Sequence, residues 1–151
     1  MNTNLNLDKG NVLNYLLESE RNNPLKVAYF SETMEYKYSK LLKDTMAIAT
    51  GLIKKLGVSL RPILIYMEKS PFMLSAFWGS VMSRNFYVPL DISMPELRIN
   101  LIVENLKPAA IITDVAHFDD AKAFCTHVFA YEQLIETEID EDVINERLNV
   151  E

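Results

Sequence analysis

Short apolar runs alternate with segments of helical spacing through the second half of the chain. Ile63–Met67 is apolar throughout, which is typical of a strand covered on both faces. Runs of strand length recur at residues 86–90, 109–113 and 127–131. A helical pattern separates each pair of runs, and such alternation implies parallel strands joined by right-handed crossovers. The sequence therefore predicts an α/β fold with a mostly parallel sheet flanked by helices.

The helices between these strands carry different signals. Phe72–Met82 follows the start signal Ser70-Pro71 and is apolar nearly all round, so we expect it to be deeply buried. Pro95–Leu106 is amphipathic, and a shorter helical stretch covers Phe118–Phe124. The side chains expected to face the core from the amphipathic helix are Leu97, Leu101, Ile102 and either Ile99 or Leu106. Pro89, inside the run at 86–90, predicts a sheet edge or a strand end.

The first 57 residues predict a helix and a β-hairpin ahead of the sheet. Asn11 is suited to cap a helix that ends near Arg21. Val27–Phe30 and Glu35–Tyr38 have strand patterns and are joined by a turn of hairpin length. Ser39 is the expected N-cap of a long helix, and Gly57 is its expected stop. One face of that helix is apolar, through Leu41, Leu42, Met46, Ala49, Leu52, Ile53 and Leu56.

The charge distribution divides the chain into three regions. We predict a flexible N-terminus over residues 1–10, one α/β domain or subdomain over 11–131, and an acidic linker or terminal helix over 132–151. Between residues 131 and 151 there are eight acidic residues and one arginine, whereas the rest is close to neutral. Without a basic stripe, nucleic-acid binding gets no electrostatic support.

Several protein classes are excluded by what the sequence lacks. It has no run of about 18 apolar residues, as a membrane-spanning helix requires. Its N-terminus has no basic segment followed by an apolar one, so it does not resemble a secretory signal. Cys125 is the single cysteine, which excludes an intramolecular disulfide and a cysteine-rich zinc site. Together these features predict a cytoplasmic protein.

The expected carboxyl edge of the sheet carries few candidate ligand-binding groups. The sequence contains neither a phosphate loop of the G-x-x-x-x-G-K-[ST] kind nor a G-x-G-x-x-G turn. Asp91 and Asp114 follow two of the predicted strands, where α/β sheets bind ligands. Each either binds a ligand or caps the next helical segment, and capping is favoured because both precede such segments.

Other reactive side chains give no recognisable site. His117 and His127 are ten residues apart, a spacing that matches no familiar zinc pattern. Cys125 would be a nucleophile only with a base nearby, and a small half-buried hydrophobic role is favoured. The aromatic side chains Phe72, Phe77 and Trp78 are expected to be core rather than a stacking platform.

Three stretches together resemble the N-terminal part of the adenylate-forming, AMP-binding ligase superfamily. Residues 36–42 (YKYSKLL), leading into a helix that ends at Gly57, resemble the first core motif of that family. Residues 79–91 (GSVMSRNFYVPLD) resemble the second, and residues 95–114 continue it in register. The resemblance covers roughly residues 11 to 131. It implies the N-terminal subdomain of an adenylate-forming enzyme.

Two departures from the family pattern stand out. The second motif usually has Lys-Ala-Gly where this chain has Ser83-Arg84-Asn85. Asparagine tolerates a positive φ better than most residues, so Asn85 is expected to preserve the turn. The glutamate of the first motif is replaced by Lys40, at an expected exposed helix position.

Within the superfamily, residues 62–66 and 89–95 look most like D-alanine–carrier protein ligases, which load D-alanine onto a carrier protein for teichoic-acid modification. The resemblance implies an ATP- and Mg²⁺-dependent enzyme that forms an aminoacyl-adenylate and passes the amino acid to a phosphopantetheine thiol. An adenylation domain of a nonribosomal peptide synthetase is the alternative, and a non-catalytic α/β interaction module is another. A flavodoxin-like nucleotide binder is disfavoured because no glycine-rich turn follows a strand.

The resemblance assigns no catalytic, cofactor-binding or metal-binding residue to this chain. The family's phosphate loop follows the segment that these 151 residues match. We therefore expect an N-terminal piece that is inactive alone and needs the remainder of the ligase. We also expect it to self-associate through exposed apolar surface.

Overall fold

The computed structural model describes Leu5, Leu7 and residues 10–149, so the prediction of a flexible N-terminus falls largely outside the described residues. A short 3₁₀ turn, Val115–His117, lies between β5 and α5. No described helix is long and apolar enough to span a bilayer. The elements in chain order are α1 (Leu13–Asn22), β1 (Val27–Ser31), β2 (Met34–Lys37), α2 (Tyr38–Leu56), β3 (Pro62–Tyr66), α3 (Pro71–Met82), β4 (Phe86–Leu90), α4 (Glu96–Leu106), β5 (Ala110–Thr113), α5 (Phe118–Lys122), β6 (Val128–Ala130), α6 (Tyr131–Leu134) and α7 (Glu141–Leu148).

The ends of α1 and α2 confirm two of the three predicted helix signals. The Asn11 side chain accepts a hydrogen bond from the Leu13 N–H at 3.0 Å, at the start of α1. Gly57 ends α2 in the left-handed conformation, with φ +66°. The predicted N-cap at Ser39 is wrong, because α2 begins at Tyr38, directly after β2, with no side-chain cap. The helix is anchored by its buried face instead of by a cap.

The four strands β3 to β6 form a parallel sheet in the order β4-β3-β5-β6. In register, Tyr66 at the end of β3 lies between Leu90 of β4 and Thr113 of β5. The chain runs from β3 out to β4 and then crosses back to β5, so the winding direction reverses between β3 and β5. The carboxyl ends of these two strands flank the topological switch point, where open α/β sheets usually bind ligands. Pro89 lies in the edge strand β4, as predicted.

Side chains of the central strands alternate between two buried layers. Ile63 and Ile65 of β3 and Ile112 of β5 pack against α2 and α3. Leu64 and Ile111 pack on the other face, against α4 and α5. Burial on both faces explains why these strands are continuously apolar in the sequence.

A third apolar cluster joins the N-terminal elements to the far end of the chain. Leu13 of α1, Tyr36 of β2 and Ile144 of α7 are buried in it, together with side chains of α2. An ion pair between Lys54 of α2 and Asp140, with 2.7 Å between nitrogen and oxygen, lies at the start of α7. The acidic segment from residue 141 to 148 is therefore a helix packed on α2.

The prediction that α3 is deeply buried is confirmed for one face of the helix only. The buried residues of α3 are the small residues of one face together with Pro71 at its start and Met82 at its end. Gly79 on this face approaches α2 so closely that a Cβ there would lie 2.5 Å from Ile48 Cγ2. The bulky side chains Phe77 and Trp78 are only half-buried. A helix that contacts its neighbour through small residues sits close to it, and its large residues are left on the outer side.

The inward face predicted for α4 is wrong in part. Leu97 is 75% exposed and Leu101 is also exposed, whereas Ile99 is buried. Ile102 and Val103 pack beside Ile99 against the sheet. The sequence of α4 contains two overlapping apolar stripes at helical spacing, and packing against β3 and β5 selects one of them.

The turn between α3 and β4 survives the loss of the family glycine, but not as predicted. Arg84 adopts the positive φ, +62°, and Asn85 does not. The Asn85 side chain instead accepts from the Arg61 N–H and donates to the Val58 carbonyl. Its amide therefore holds the chain entering β3 against the chain entering β4.

Candidate functional site

The carboxyl ends of β3 and β4 enclose a cleft with a cavity of about 500 Å³. The loop from β3 to α3 forms one wall and the loop from β4 to α4 forms the other. The lining residues are Met67, Glu68, Lys69, Met73, Pro89, Leu90, Asp91, Ile92 and Ser93. The cleft lies beside the switch point and brings together polar groups that follow two different strands.

Asp91 forms a local turn in the outer wall of the cleft, which is the loop from β4 to α4; the loop from β3 to α3 is the inner wall. Its Oδ1 accepts from the Ser93 N–H at 2.9 Å and from the Ser93 hydroxyl at 2.7 Å. These hydrogen bonds, and the Lys69 ammonium 3.5 Å away, lower the pKa of the Asp91 carboxyl. The expected helix cap is wrong in detail, because α4 begins at Glu96 and Asp91 caps the turn that precedes it.

Asp114 follows β5 and lies at the switch point itself. Its Oδ1 accepts from the His117 N–H at 2.9 Å and caps the 3₁₀ turn, which confirms the predicted capping role. His117 Nδ1 lies 2.6 Å from the same oxygen. Its Oδ2 accepts from the Glu68 N–H at 2.9 Å, in the loop that follows β3. The carboxylate thus bridges the crevice between β3 and β5.

The loop N–H groups at this edge are satisfied by carboxylates of the chain. Besides the N–H groups of Glu68, His117 and Ser93, the Val115 N–H donates to the Glu132 carboxylate at 3.2 Å. Phosphate sites in α/β folds use unpaired loop N–H groups and a positive environment. These four donors are taken by negatively charged acceptors, so they are not free to bind a phosphate group.

The histidines and the cysteine form no reactive cluster. His117 is held by Asp114, and His127 is exposed just before β6. Cys125 is half-buried against the apolar layer of α4 and α5, in agreement with the hydrophobic role predicted for it. Across the described part of the chain, no three His, Cys, Asp or Glu side chains are placed to hold a metal ion.

A buried polar network lies on the face of the sheet that α2 and α3 cover. The sequence patterns did not predict it. The Tyr36 hydroxyl donates to Asp44 Oδ2 at 2.6 Å, and the Tyr131 hydroxyl donates to the same oxygen at 3.2 Å. Ser75 donates to the Tyr131 hydroxyl at 3.1 Å, and Lys40 Nζ lies 2.6 Å from both Asp44 oxygens. The network ties together β2, α2, α3 and the start of α6.

The pKa values of the two tyrosine hydroxyls in this network are raised. Burial, the nearby Tyr131 and the hydrogen bond to Asp44 raise the pKa of Tyr36 well above its ordinary value. Burial also raises the pKa of Tyr131. Both hydroxyls therefore remain donors. The available sequence signal was an acidic residue inside the apolar face of α2, at position 44, with a lysine one turn before it.

The chain matches the sequence model of the AMP-binding enzyme family over residues 16–149. It is 40% identical over 76 residues to the D-alanine–D-alanyl carrier protein ligase of Listeria monocytogenes serotype 4b strain F2365, which covers 50% of this chain and 15% of that ligase. The ligase of the same name from Staphylococcus haemolyticus is 28% identical over 100 residues, which cover 66% of this chain and 20% of the ligase. The chain thus spans about a fifth or less of the length of these relatives.

Solved structures share the fold at low sequence identity. The α-methyl-L-serine-AMP-bound form of the nonribosomal peptide synthetase FmoA3 superposes with a TM-score of 0.75 at 19% identity, over 85% of this chain and 14% of that one. The Klebsiella oxytoca NpsA N-terminal subdomain, in complex with 3-hydroxyanthranilyl-AMSN, gives a TM-score of 0.69 at 22% identity, over 83% and 30%. The fold is therefore that of the N-terminal subdomain of adenylate-forming enzymes.

Proposed function

Because the chain belongs to the AMP-binding enzyme family, we propose that it is part of an ATP-dependent ligase that activates D-alanine as an aminoacyl-adenylate. Such a ligase would transfer the D-alanyl group to the phosphopantetheine thiol of a carrier protein. The observation that carries the proposal is the 40% identity over 76 residues to the Listeria D-alanine–D-alanyl carrier protein ligase. ATP, Mg²⁺ and the carrier protein are proposed for a whole ligase of this kind.

Within that ligase, these 151 residues would supply scaffold and no catalytic residue. The buried network of Tyr36, Asp44 and Tyr131 supports this role, because it ties the hairpin to the sheet and its helices. The loop N–H groups at the sheet edge also support it, because the chain's own carboxylates already occupy them. We therefore propose that the isolated chain forms no adenylate and depends on the remainder of a ligase.

The decisive experiment is to read the source DNA past codon 151 and to assay the protein that the open frame encodes. We expect a Ser/Thr/Gly-rich loop ending in Lys-Gly soon afterwards. We further expect the purified product to catalyse ATP–pyrophosphate exchange with D-alanine at least about tenfold faster than with L-alanine. A ligase that prefers another amino acid would replace the D-alanine assignment with that of a peptide-synthetase adenylation domain.

The isolated chain supplies the matched comparison. We expect no D-alanine-dependent exchange from the purified 151-residue protein under conditions in which the longer product is active. Exchange by the short chain would contradict the proposed scaffold role. A stop directly after codon 151 would favour a non-catalytic interaction module.

Half-buried and exposed apolar side chains on one outer surface support a proposal about how the isolated chain associates. An outer groove of about 280 Å³ lies along α3 and the edge strand β4. Its lining residues are Val12, Leu74, Phe77, Trp78, Val81 and Tyr87. Apolar surface of this kind favours association in water, and β4 adds an unpaired strand edge. We propose that the 151-residue chain self-associates through this outer groove.

We propose a cytoplasmic location for the ligase, because the proposed reaction consumes ATP. Loading a cytoplasmic carrier protein with D-alanine for teichoic-acid modification is the role that the resemblance implies. Fractionation of cells that express the tagged full-length product tests the location. Recovery with the cytoplasmic fraction is expected.

A further inference from the structure

One carboxylate joins two loops that are 46 residues apart in the sequence. Asp114 Oδ2 accepts from the Glu68 N–H at 2.9 Å, across the switch point between β3 and β5. Its Oδ1 accepts from the His117 N–H at 2.9 Å and lies 2.6 Å from His117 Nδ1. Each oxygen is therefore used by a different loop, and replacement of either oxygen removes a specific contact.

The Asp114 contacts are protected enough to persist in solution. The Asp114 side chain is 16% exposed and that of His117 is 20% exposed, and the His117 ring packs edge-on against Tyr66. Partial burial opposes ionisation of Asp114, but the hydrogen bonds from Glu68 and His117 outweigh it and lower the pKa of the carboxyl. The Asp114 carboxylate is therefore charged over the neutral pH range and remains a strong acceptor.

The Glu68 contact bears on the cleft because Glu68 and Lys69 form part of its inner wall. Within the described part of the chain, the Glu68 N–H of that wall makes this one hydrogen bond. The outer wall, which is the loop from β4 to α4, is held differently. Asp91 accepts a hydrogen bond from Ser93 within that loop, and its ion pair with Lys69 across the cleft is long, at 3.5 Å, and exposed to solvent. The two aspartates at the carboxyl edge thus have different structural roles.

We propose that Asp114 is a positioning residue for the cleft, acting as a latch that holds the β3–α3 loop against the β5–α5 turn. The latch fixes the inner wall of the cleft and occupies the switch-point crevice with the chain's own carboxylate. A change in the β5–α5 turn would therefore move the cleft wall. This role of Asp114 does not depend on which acyl group the proposed ligase activates.

Amide hydrogen exchange of the 151-residue chain tests the latch. In Asp114→Asn, one of the two accepting oxygens becomes an amide nitrogen, so we expect exchange at Glu68 to be at least about tenfold faster than in the wild type. Exchange in β6 should stay within about twofold. The matched control is Asp91→Asn, which removes an acceptor at the same sheet edge and should leave Glu68 unchanged.

A spectroscopic readout separates the latch from a general loss of stability. His117 and the Glu68 backbone contact the carboxylate, which also acts on Tyr66; Asp120 acts on the same tyrosine, and Glu132 accepts from the adjoining Val115 N–H. In a Glu68→Gln background, which removes the carboxyl of the reporting residue itself, the residue-68 amide resonance should follow an acid titration, and this titration should disappear on adding Asp114→Asn and persist on adding Asp91→Asn. In His117→Ala the titration should remain, with its midpoint at higher pH, because the carboxylate has lost a stabilising donor.

The latch is overturned by either of two results. One is unchanged Glu68 exchange in Asp114→Asn together with an unchanged acid titration of its amide. The other is an equal effect of Asp91→Asn and Asp114→Asn at Glu68. If Asp114→Asn does not fold, His117→Ala in the same Glu68→Gln background decides, since a residue-68 amide resonance that follows no acid titration there excludes the contact.

Discussion

The Tyr36 hydroxyl and the Asp44 carboxylate are joined by a hydrogen bond of 2.6 Å inside the protein, where Asp44 is only 1% exposed. Tyr36 comes from the hairpin and Asp44 from the middle of α2. A buried carboxylate is tolerated only when its oxygens are occupied, and here two hydroxyls and the Lys40 ammonium occupy them. This pair therefore makes the hairpin part of the core.

The first prediction concerns the stability that this pair supplies. We expect Asp44→Ala to lower the free energy of unfolding by about 3 kcal/mol, because it leaves two buried hydroxyls without their acceptor. Asp119→Ala is the control, since Asp119 also pairs with a lysine but is 94% exposed, and it should leave the urea midpoint unchanged. Urea unfolding measures both. Equal effects of the two variants would contradict the buried role.

The second prediction concerns the close contact of α2 and α3. A Cβ at position 79 would lie 2.5 Å from Ile48 Cγ2, so Gly79→Ala should destabilise the protein by about 2 kcal/mol through overpacking. Gly10→Ala is the matched control, because a Cβ there meets no atom within 4 Å. Thermal unfolding should separate the two variants clearly. A Gly79→Ala protein as stable as the control would show that the helices can move apart without cost.

The third prediction concerns backbone strain before β4. Arg84 has φ +62°, a conformation that costs a non-glycine residue roughly 1 kcal/mol or more. We expect Arg84→Gly to raise the free energy of unfolding by about 1 kcal/mol. Arg98→Gly, at an exposed position inside α4, should lower it by a similar amount because glycine disfavours a helix. Opposite signs in chemical denaturation are expected, and equal signs would count against strain at Arg84.

The fourth prediction concerns acid stability. The pKa of Asp114 is lowered in the folded protein, so its ionised form stabilises the fold above the unfolded-state pKa. This contribution is lost as pH falls through the folded pKa, below the ordinary value of 3.8. We therefore expect the stability difference between wild type and Asp114→Asn to be constant above pH 5 or so and to shrink below about pH 4. Urea midpoints measured between neutral and strongly acidic pH test the sign, and a difference that grows in acid would refute it.

The fifth prediction concerns the outer groove. We expect Phe77→Lys to reduce the apparent mass of the 151-residue chain in light scattering, because a charge in an apolar contact opposes association. Phe77 stacks on Tyr87 at 4.3 Å between ring centroids, in the middle of the groove. Leu97→Lys, on the exposed side of α4, is the control and should leave the mass unchanged. A wild-type chain that is monomeric at all concentrations would end the proposal.

The sequence alone determined the order of elements from α1 to β6 and the parallel sheet, because these depend on local patterns. Continuous apolar runs such as residues 63–67 arise only where a strand is covered on both faces, and Gly57 ends α2 through its own backbone freedom. The motifs of residues 36–42 and 79–91 likewise predicted the enzyme family, which the family match confirms.

Tertiary structure alone decided which faces are buried and which side chains meet. Leu97 and Ile99 are both apolar, and only packing against the sheet places Ile99 inside. Arg84 rather than Asn85 takes the left-handed turn, because Asn85 is bonded to the chain entering β3. The hydrogen bond between Tyr131 and Asp44 joins residues that are 87 positions apart. The hydrogen bond between Glu68 and Asp114 joins residues that are 46 positions apart. Local periodicity carries no information about such contacts, because they exist only after the elements have packed.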